Sequence, residues 1–420
     1  MICCLTKIAS IYFSWIFACT VITGATAFAE DWIPAKSNGT IRVATFNVSL
    51  NRPEDGKLAK DLQAGDAQAM AVAAVIRAVQ PDVLLLNELD YDSTGDNASL
   101  FASRYLAATA RDSLGGAAWS LPFVYSAPVN TGVPSGLDLN QNGSSTDPDD
   151  AWGYGKFPGQ YGMAVLSRFP IDDNNVRRFQ NMRWSSMPNA LAPMLSDGSP
   201  YYPADVWKSL RLSSKSFWDV PVRVRIAGKE VTLHALTSHP TPPAFDGPED
   251  RNGCRNHDEI RLVIDYLENR EYLVDDDGKR GGLAKDQSFV VLGDLNSDPN
   301  DGGSQTDAIR DLLAHQRVAR APAPSSMGAA RASKLQGGAN AKHRGPANED
   351  TGDFSDRAVG NLRIDYALPS ADWKVVQSGV FWPDLTEVSE TDRRAIQKCL
   401  EASDHHLVWI DLQLASESNL

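Results

Sequence analysis

Short continuous apolar runs recur along this chain, each closed by turn residues, and such runs mark strands buried on both faces. The clearest is Phe289 to Leu292, inside the stretch Ser288 to Pro299 that reads SFVVLGDLNSDP. Val83 to Leu86 is a second, and Ile41 to Val48 (IRVATFNV) and Tyr161 to Ser167 (YGMAVLS) read as strands as well. Val222 to Ile226 and Val231 to Thr237 alternate around Gly228, a hairpin signal. Leu362 to Leu368, Trp373 to Phe381 and His405 to Leu412 complete the strands. Helical spacing appears in 66–80, where Val72, Val75, Ile76 and Val79 fall at i, i+3, i+4 and i+7 before Pro81. Ile260, Val263, Ile264 and Leu267 supply a second stripe, with Asn256 as the expected N-cap and Glu259 in capping-box position. A short helix is expected over 306–316. Strand, helix, strand order predicts a layered α/β protein.

The connections are long and polar. Residues 91–160 are loop-rich, and 172–218 are irregular and rich in Trp, Met and Pro. Residues 319–361 are dominated by Ala, Gly, Ser and Pro and are expected to be flexible in part. No internal repeat or domain boundary interrupts the pattern, so 30–420 reads as one domain with loop insertions.

The first residues stand outside that pattern. Lys7 precedes an apolar run from Ile8 to about Thr23, followed by Ala27-Phe28-Ala29, an A-x-A cleavage pattern. A signal peptide over 1–29 is expected, with the mature chain secreted or periplasmic. The run is short for a membrane span, and no later segment is long and apolar enough for one. Only Cys254 and Cys399 follow the leader, and in an oxidising compartment they are expected to form one disulfide, worth about 3–5 kcal/mol in the chain-entropy model. The formal net charge is −13. Such acidity disfavours non-specific polyanion binding, yet bound divalent cations can supply a positive field locally for a phosphate-bearing substrate.

Candidate chemistry gathers at the strand ends: Asn47, Glu88, His239, Asp294 with Asn296, and Asp365, while Asp404-His405 precedes the last strand. Singly, each is an ordinary turn residue or cap. Layered sheets collect such residues in one crevice, which makes their recurrence informative. A separate pattern lies in Asp138, Asn140, Asn142, Gly143 and Asp149, whose spacing fits a calcium loop with Asp in place of the usual final Glu.

Taken in order, ATFNV, LLLNELD, YGMAVLSRFPI, SHPTPP, GDLNSDP, RIDYAL and SDHHLVWIDL resemble the endonuclease/exonuclease/phosphatase superfamily over essentially the whole chain after the leader. The resemblance implies a four-layer α/β/β/α sandwich with two central mixed sheets and an active site at one edge. It implies that Glu88, Asn47 and Asp404 serve a divalent ion, Mg2+ or Mn2+. His405 with Asp365 corresponds to the family's Asp–His pair. Asp294 positions or deprotonates water or serves the leaving group, Asn296 bonds a non-bridging oxygen, and His239 is a candidate acid. Asn87 stands where many members have Gln, and Met163 where an Asn is common; both departures bear on substrate contacts. The implied protein is a monomeric, metal-dependent phosphodiesterase of nuclease type, with nucleic acid a candidate substrate. A sphingomyelinase-like or inositol-phosphate phosphoesterase is the alternative within the enzyme class, in which Phe217-Trp218 or Trp382 would face a membrane rather than pack in the core. Outside that class stands an inactive relative that binds calcium or a surface partner.

Overall fold

The computed structural model describes residues 33–415 apart from 95, 109–113 and 115, so the expected leader over 1–29 and its cleavage at Ala29 lie outside the described residues. The strands are β1 (Ile41–Asn47), β2 (Val83–Asn87), β3 (Phe123–Tyr125), β4 (Met163–Ser167), β5 (Arg177–Arg178), β6 (Phe217–Ile226), β7 (Lys229–Ser238), β8 (Ser288–Asp294), β9 (Asp365–Pro369), β10 (Trp373–Val380) and β11 (Val408–Leu414). They form two mixed sheets, one in the order β10-β11-β1-β2-β4-β3 and one in the order β5-β6-β7-β8-β9. β1 and β2 run parallel, as do β7 and β8.

Period-two alternation builds the layers. Ile41 and Val43 of β1, Val83 and Leu85 of β2, and Ile410 of β11 meet Leu233, Ala235, Val290 and Leu292 of the other sheet in a core between the sheets. The intervening residues Ala44, Phe46, Leu84 and Leu86 face outward, under the helices Ala67–Val79 and Glu390–Leu400. On the far side Leu236, Phe289 and Val291 lie under the helices Arg251–Leu267 and Asp307–Ala314. Both sheets are apolar on both faces, which explains why their strands read as unbroken runs. The result is the four-layer α/β/β/α sandwich expected from the motifs. The β6–β7 hairpin turns through Ala227 and Gly228, both at positive φ (49° and 79°), the conformation of a type I′ turn.

Three expectations are corrected. Cys254 and Cys399 form no disulfide: Cys254 packs under the second sheet and Cys399 outside the first. Two sheets stand between them, whereas bridged α-carbons lie within about 7 Å. The helix expected to start after Asn256 begins at Arg251, because the Asp246 carboxylate accepts the Asn252 N–H (2.6 Å) and satisfies the helix start earlier. Asn256 and Glu259 are therefore interior and buried. Residues 319–361 carry the helix Met327–Gln336, whose Ala329 is buried in the core between the sheets. Phe217, Trp218 and Trp382 are buried at 1%, 0% and 5% exposure, so all three pack in the core.

Two neighbouring strands of the second sheet bring backbone very close at Gly293. A β-carbon there would stand 2.1 Å from the Ser238 carbonyl oxygen, at the point where β7 and β8 end side by side. Backbone on both sides leaves nothing to swing away. Gly293→Ala is therefore expected to cost about 1–3 kcal/mol by overpacking. Denaturant unfolding measures this, and an unchanged midpoint would refute the close approach.

Candidate active site

The alternation that builds the inner core also delivers the site. Asn47 continues the inward face of Ile41 and Val43, Asn87 that of Val83 and Leu85, and Asp294 that of Val290 and Leu292. His239 follows β7 in the same phase as Leu233 and Ala235. Asp365 opens β9 opposite Asp294, in antiparallel register. Parallel pairing of β1 with β2 and of β7 with β8 puts these ends on one edge of the sandwich.

There the side chains interlock. The Asn47 amide donates to Glu88 Oε1 (3.1 Å) and to Asp294 Oδ2 (3.0 Å), and lies 3.4 Å from His405 Nε2. His405 Nδ1 meets Asp365 Oδ2 at 2.9 Å. Asp294 Oδ2 also stands 3.4 Å from His239 Nε2 and 3.6 Å from His405 Nε2. Asn87 Oδ1 accepts the Asp294 N–H at 3.2 Å. Three residues around this centre, Ser49, Glu88 and Asn296, sit at positive φ (47°, 58° and 52°). Strain of this kind persists only where the surroundings over-determine it.

The charges are strongly coupled. Burial alone would pull the His405 imidazole down; the carboxylates of Asp365 and Asp294 outweigh it and raise His405 well above the usual histidine value. Burial pushes Asp294 up, but the charges of His405 and His239 and hydrogen bonds from His239 and Asn47 hold it well below the usual carboxylate range. The favoured state is an imidazolium between two carboxylates.

The donor set fits a hard divalent cation. Glu88 is half-buried, its oxygens touched by the amides of Asn47 and of Asn51 (2.9 Å), and no cationic side chain among the described residues bonds it. Carboxylate oxygens short of a counter-charge, with room for water, are what magnesium-class ions take. Ligand-type atoms of Asp294, Asp365 and His405 lie within 4.8 Å of one another. His405 Nδ1 is already committed to Asp365, so this trio is a hydrogen-bonded relay rather than three ligands of one ion.

Asn47, Glu88, His239, Asp294, Asp365 and His405 thus converge. Asn296 is adjacent, but its side chain donates to the Pro240 carbonyl (3.1 Å), tying the β7 and β8 exits together. Asp404 is exposed and reaches the centre only through Ser49, whose hydroxyl donates to Asp404 Oδ1 (3.2 Å) while its N–H donates to Asn47 Oδ1 (3.2 Å). In the candidate calcium loop the acidic and amide groups also bind the loop's own backbone. Asp138 accepts the N–H groups of Asn142 (3.0 Å) and Gly143 (2.9 Å), Asn140 also accepts from Asn142 N (3.1 Å), and the Asn142 amide donates to Asp147 (2.7 Å). Asp149 lies instead on the wall of a cavity of about 530 Å³ that also borders Glu88 and His239. Met163, fully buried between the sheets, does not reach that cavity.

Other residues had no separate signal. Thr351 Oγ1 donates to Asp365 Oδ2 (2.7 Å) and accepts the Asp365 N–H (3.0 Å), from within the segment expected to be flexible. Ser403 Oγ donates to the Asn47 carbonyl (2.7 Å). Glu259 accepts the N–H groups of Ser214 and Thr241, both at 2.6 Å, and so fixes the chain on both sides of His239. Its spacing from Asn256 suggested a cap; only the fold shows that it pins loops.

No curated protein sequence matches the chain. Among solved structures, an endonuclease/exonuclease/phosphatase from Beutenbergia cavernae is similar at 20% identity and a TM-score of 0.47, over 90% of this chain and 72% of that one. Sphingomyelinase C from Streptomyces griseocarneus is similar at 16% identity and 0.44, over 89% of this chain and 99% of that one. A beta toxin variant from Staphylococcus aureus with bound magnesium ions is similar at 14% identity and 0.41, over 90% of this chain and 100% of that one. The family model described as Endonuclease/Exonuclease/phosphatase family matches residues 44–405. A match over that span places the chain in the endonuclease/exonuclease/phosphatase family of hydrolases, which typically depend on a divalent metal.

Proposed function

We propose that this protein is an exported, divalent-metal-dependent phosphodiesterase of nuclease type. The observation that carries the reading is the shared Asn47 amide, which holds Glu88 from one sheet and Asp294 from the other at one cleft beside the His405–Asp365 pair. Glu88, positioned by the Asn47 amide and with Asp404 at the rim, would hold magnesium or manganese, while the Asn47 oxygen is given to the Ser49 N–H. Such an ion neutralises the anionic oxygens of a phosphodiester and so eases attack upon it. The export part of the reading rests on the apolar run and A-x-A pattern before Glu30.

The chain's own groups divide the remaining work. Asp294, kept ionised, accepts a hydrogen bond from the attacking water and so orients it. The His405 imidazolium presents Nε2–H to a phosphoryl oxygen, while Asp365 holds its Nδ1 and Thr351 holds Asp365. That fixed cation stabilises charge as it builds in the transition state. His239 Nε2 is placed to give a proton to the departing oxygen. The aromatic residues that a membrane-facing lipid hydrolase would expose, Phe217, Trp218 and Trp382, are buried, which favours the nuclease-type substrate.

On purified protein, plasmid nicking with magnesium is expected and a chelator is expected to abolish it. His405→Ala and Asp294→Ala are each expected to lower turnover by about 10²–10⁴-fold with the fold intact. Near-wild-type rates in either variant would overturn the roles. Release of choline phosphate or inorganic phosphate without nicking would move the assignment to the lipid or inositol-phosphate alternative.

The pair also has a pH signature. A histidine raised above its unfolded value of about 6.5 contributes stability that is complete below that pH and is lost as pH rises through the folded value. Nitrogen-detected NMR in chelator is expected to show His405 still cationic above pH 7, and Asp365→Asn to lower its titration midpoint. A His405 midpoint at or below about 6.5 in the wild type would refute the imidazolium assignment.

A further inference from the structure

The cavity beside Glu88 and His239 extends well beyond the reacting groups. Its walls come from the insertions within 130–160 and 180–216 and from the start of the helix Arg251–Leu267. At about 530 Å³ it is the size of a bound small molecule rather than of a water-filled crack.

Four cations line it: Lys215, Arg211, Arg255 and Arg251, the last paired with Glu249. Lys215 is only 6% exposed, and no hydrogen bond or ion pair to its ammonium exists among the described residues. Arg255 spends its donors on the carbonyls of Leu212 (2.8 Å), Trp152 (2.6 Å) and Arg211 (3.0 Å). Arg211 donates to Asn130 Oδ1 (2.5 Å) and stacks over Trp152, 5.2 Å from the ring centre. Neither arginine forms an ion pair with a carboxylate among the described residues. Burial lowers the Lys215 pKa against the nearby charges of Glu259, Glu88 and Asp294, none of which bonds the ammonium, so its donors stay open to an anion.

The cationic wall is rigidly made. The Lys215 carbonyl accepts the Asn130 N–H (2.9 Å), and Glu259 takes the N–H of the preceding Ser214 (2.6 Å). Gly153 lies so close to the same loop that a β-carbon would stand 2.0 Å from the Ser214 carbonyl oxygen. Tyr154 and Tyr161, with ring centres 6.4 Å apart, form an aromatic wall near Glu88.

We propose that this cavity is a second-anion subsite, in which Lys215, with Arg211 and Arg255, receives a phosphate group of the substrate other than the one being cleaved. The inference rests on the phosphodiesterase reading and deepens it: the preferred substrate is a nucleotide-like phosphodiester carrying at least one further phosphate, with a ring against the tyrosines. A headgroup carrying a quaternary ammonium would meet the positive charges of Lys215, Arg211 and Arg255 in the same place. The further phosphate has two possible sources, a terminal monoester or the next internal diester of a strand.

The test compares kcat/KM for thymidylyl-thymidine, its 5′-phosphorylated and 3′-phosphorylated forms, and the thymidine trinucleotide. In the wild type, one of the added phosphates is expected to raise kcat/KM by about tenfold or more, as charge-assisted bonds do. Lys215→Met is expected to bring that ratio to within about twofold of unity, and Lys215→Arg to keep it. An advantage confined to the terminally phosphorylated forms identifies the monoester; an equal advantage for the trinucleotide identifies the strand phosphate. A ratio unchanged in Lys215→Met overturns the subsite. Calorimetry with thymidine 3′,5′-bisphosphate against thymidine, in chelator, needs no turnover. Wild type is expected to bind the bisphosphate, and Lys215→Met to bind it about tenfold more weakly or worse. No binding to wild type overturns the proposal, whereas binding without hydrolysis of any dinucleotide keeps the subsite and removes the phosphodiesterase reading.

Discussion

One side-chain nitrogen, Nδ2 of Asn47, joins the edge of one sheet to the edge of the other. A primary amide has two hydrogens, and here each is given to a different carboxylate, Glu88 and Asp294. Its oxygen is turned the other way, toward the Ser49 N–H. An aspartate at this position would present a third negative charge to the two already there and donate nothing. Two acidic groups can therefore stand close together in a buried cleft because a neutral donor lies between them. Asp294, the more buried of the two, also draws on two imidazoles, which is why it remains ionised against the cost of its burial.

That arrangement needs a frame that does not yield. The site groups sit at the ends of strands that are apolar on both faces, so their α-carbons are positioned by the best-packed part of the molecule. The left-handed backbone at Ser49, Glu88 and Asn296 costs energy that no contact of those residues alone returns. It is held by what lies behind it: the parallel β1–β2 pairing, the Asn296 amide on Pro240, and the Ser403 hydroxyl on the Asn47 carbonyl. Rigid strands carry the reacting groups, while the insertions shape the cavity around them.

This division explains what could be read from the sequence. A strand buried on both faces writes itself as an apolar run, so Asn47, Glu88, Asp294 and Asp365 were visible as polar interruptions at the ends of such runs. His239 and His405 were visible for the same reason. Thr351, Glu259 and Lys215 were not, because each acts on a partner that only tertiary structure brings near. Thr351 lies in a stretch whose composition suggests disorder, yet it is pinned between Asp365 and Leu362. Glu259 sits in a helix interior, where a carboxylate ordinarily reports only on exposure or capping. The two cysteines misled in the opposite direction, since pairing was inferred from compartment and count, and the sandwich places them on opposite faces. The residues of the calcium spacing bind N–H groups of their own loop, contacts that the spacing alone does not reveal.

Charge works on two length scales in this molecule. The chain as a whole carries −13, a field that opposes long polyanions at a distance but is screened beyond about 8–10 Å in physiological salt. One wall of the cavity carries the opposite sign, with Lys215, Arg211 and Arg255 facing the same space as Glu88 and His239. A short phosphorylated molecule presents most of its charge within one screening length and so meets chiefly the cationic wall. An extended duplex must instead lay many phosphates along an acidic exterior. On the proposed function, acidic net charge and cationic cavity wall together would favour small or single-stranded phosphodiesters, a selection that neither the fold nor the site residues impose by themselves.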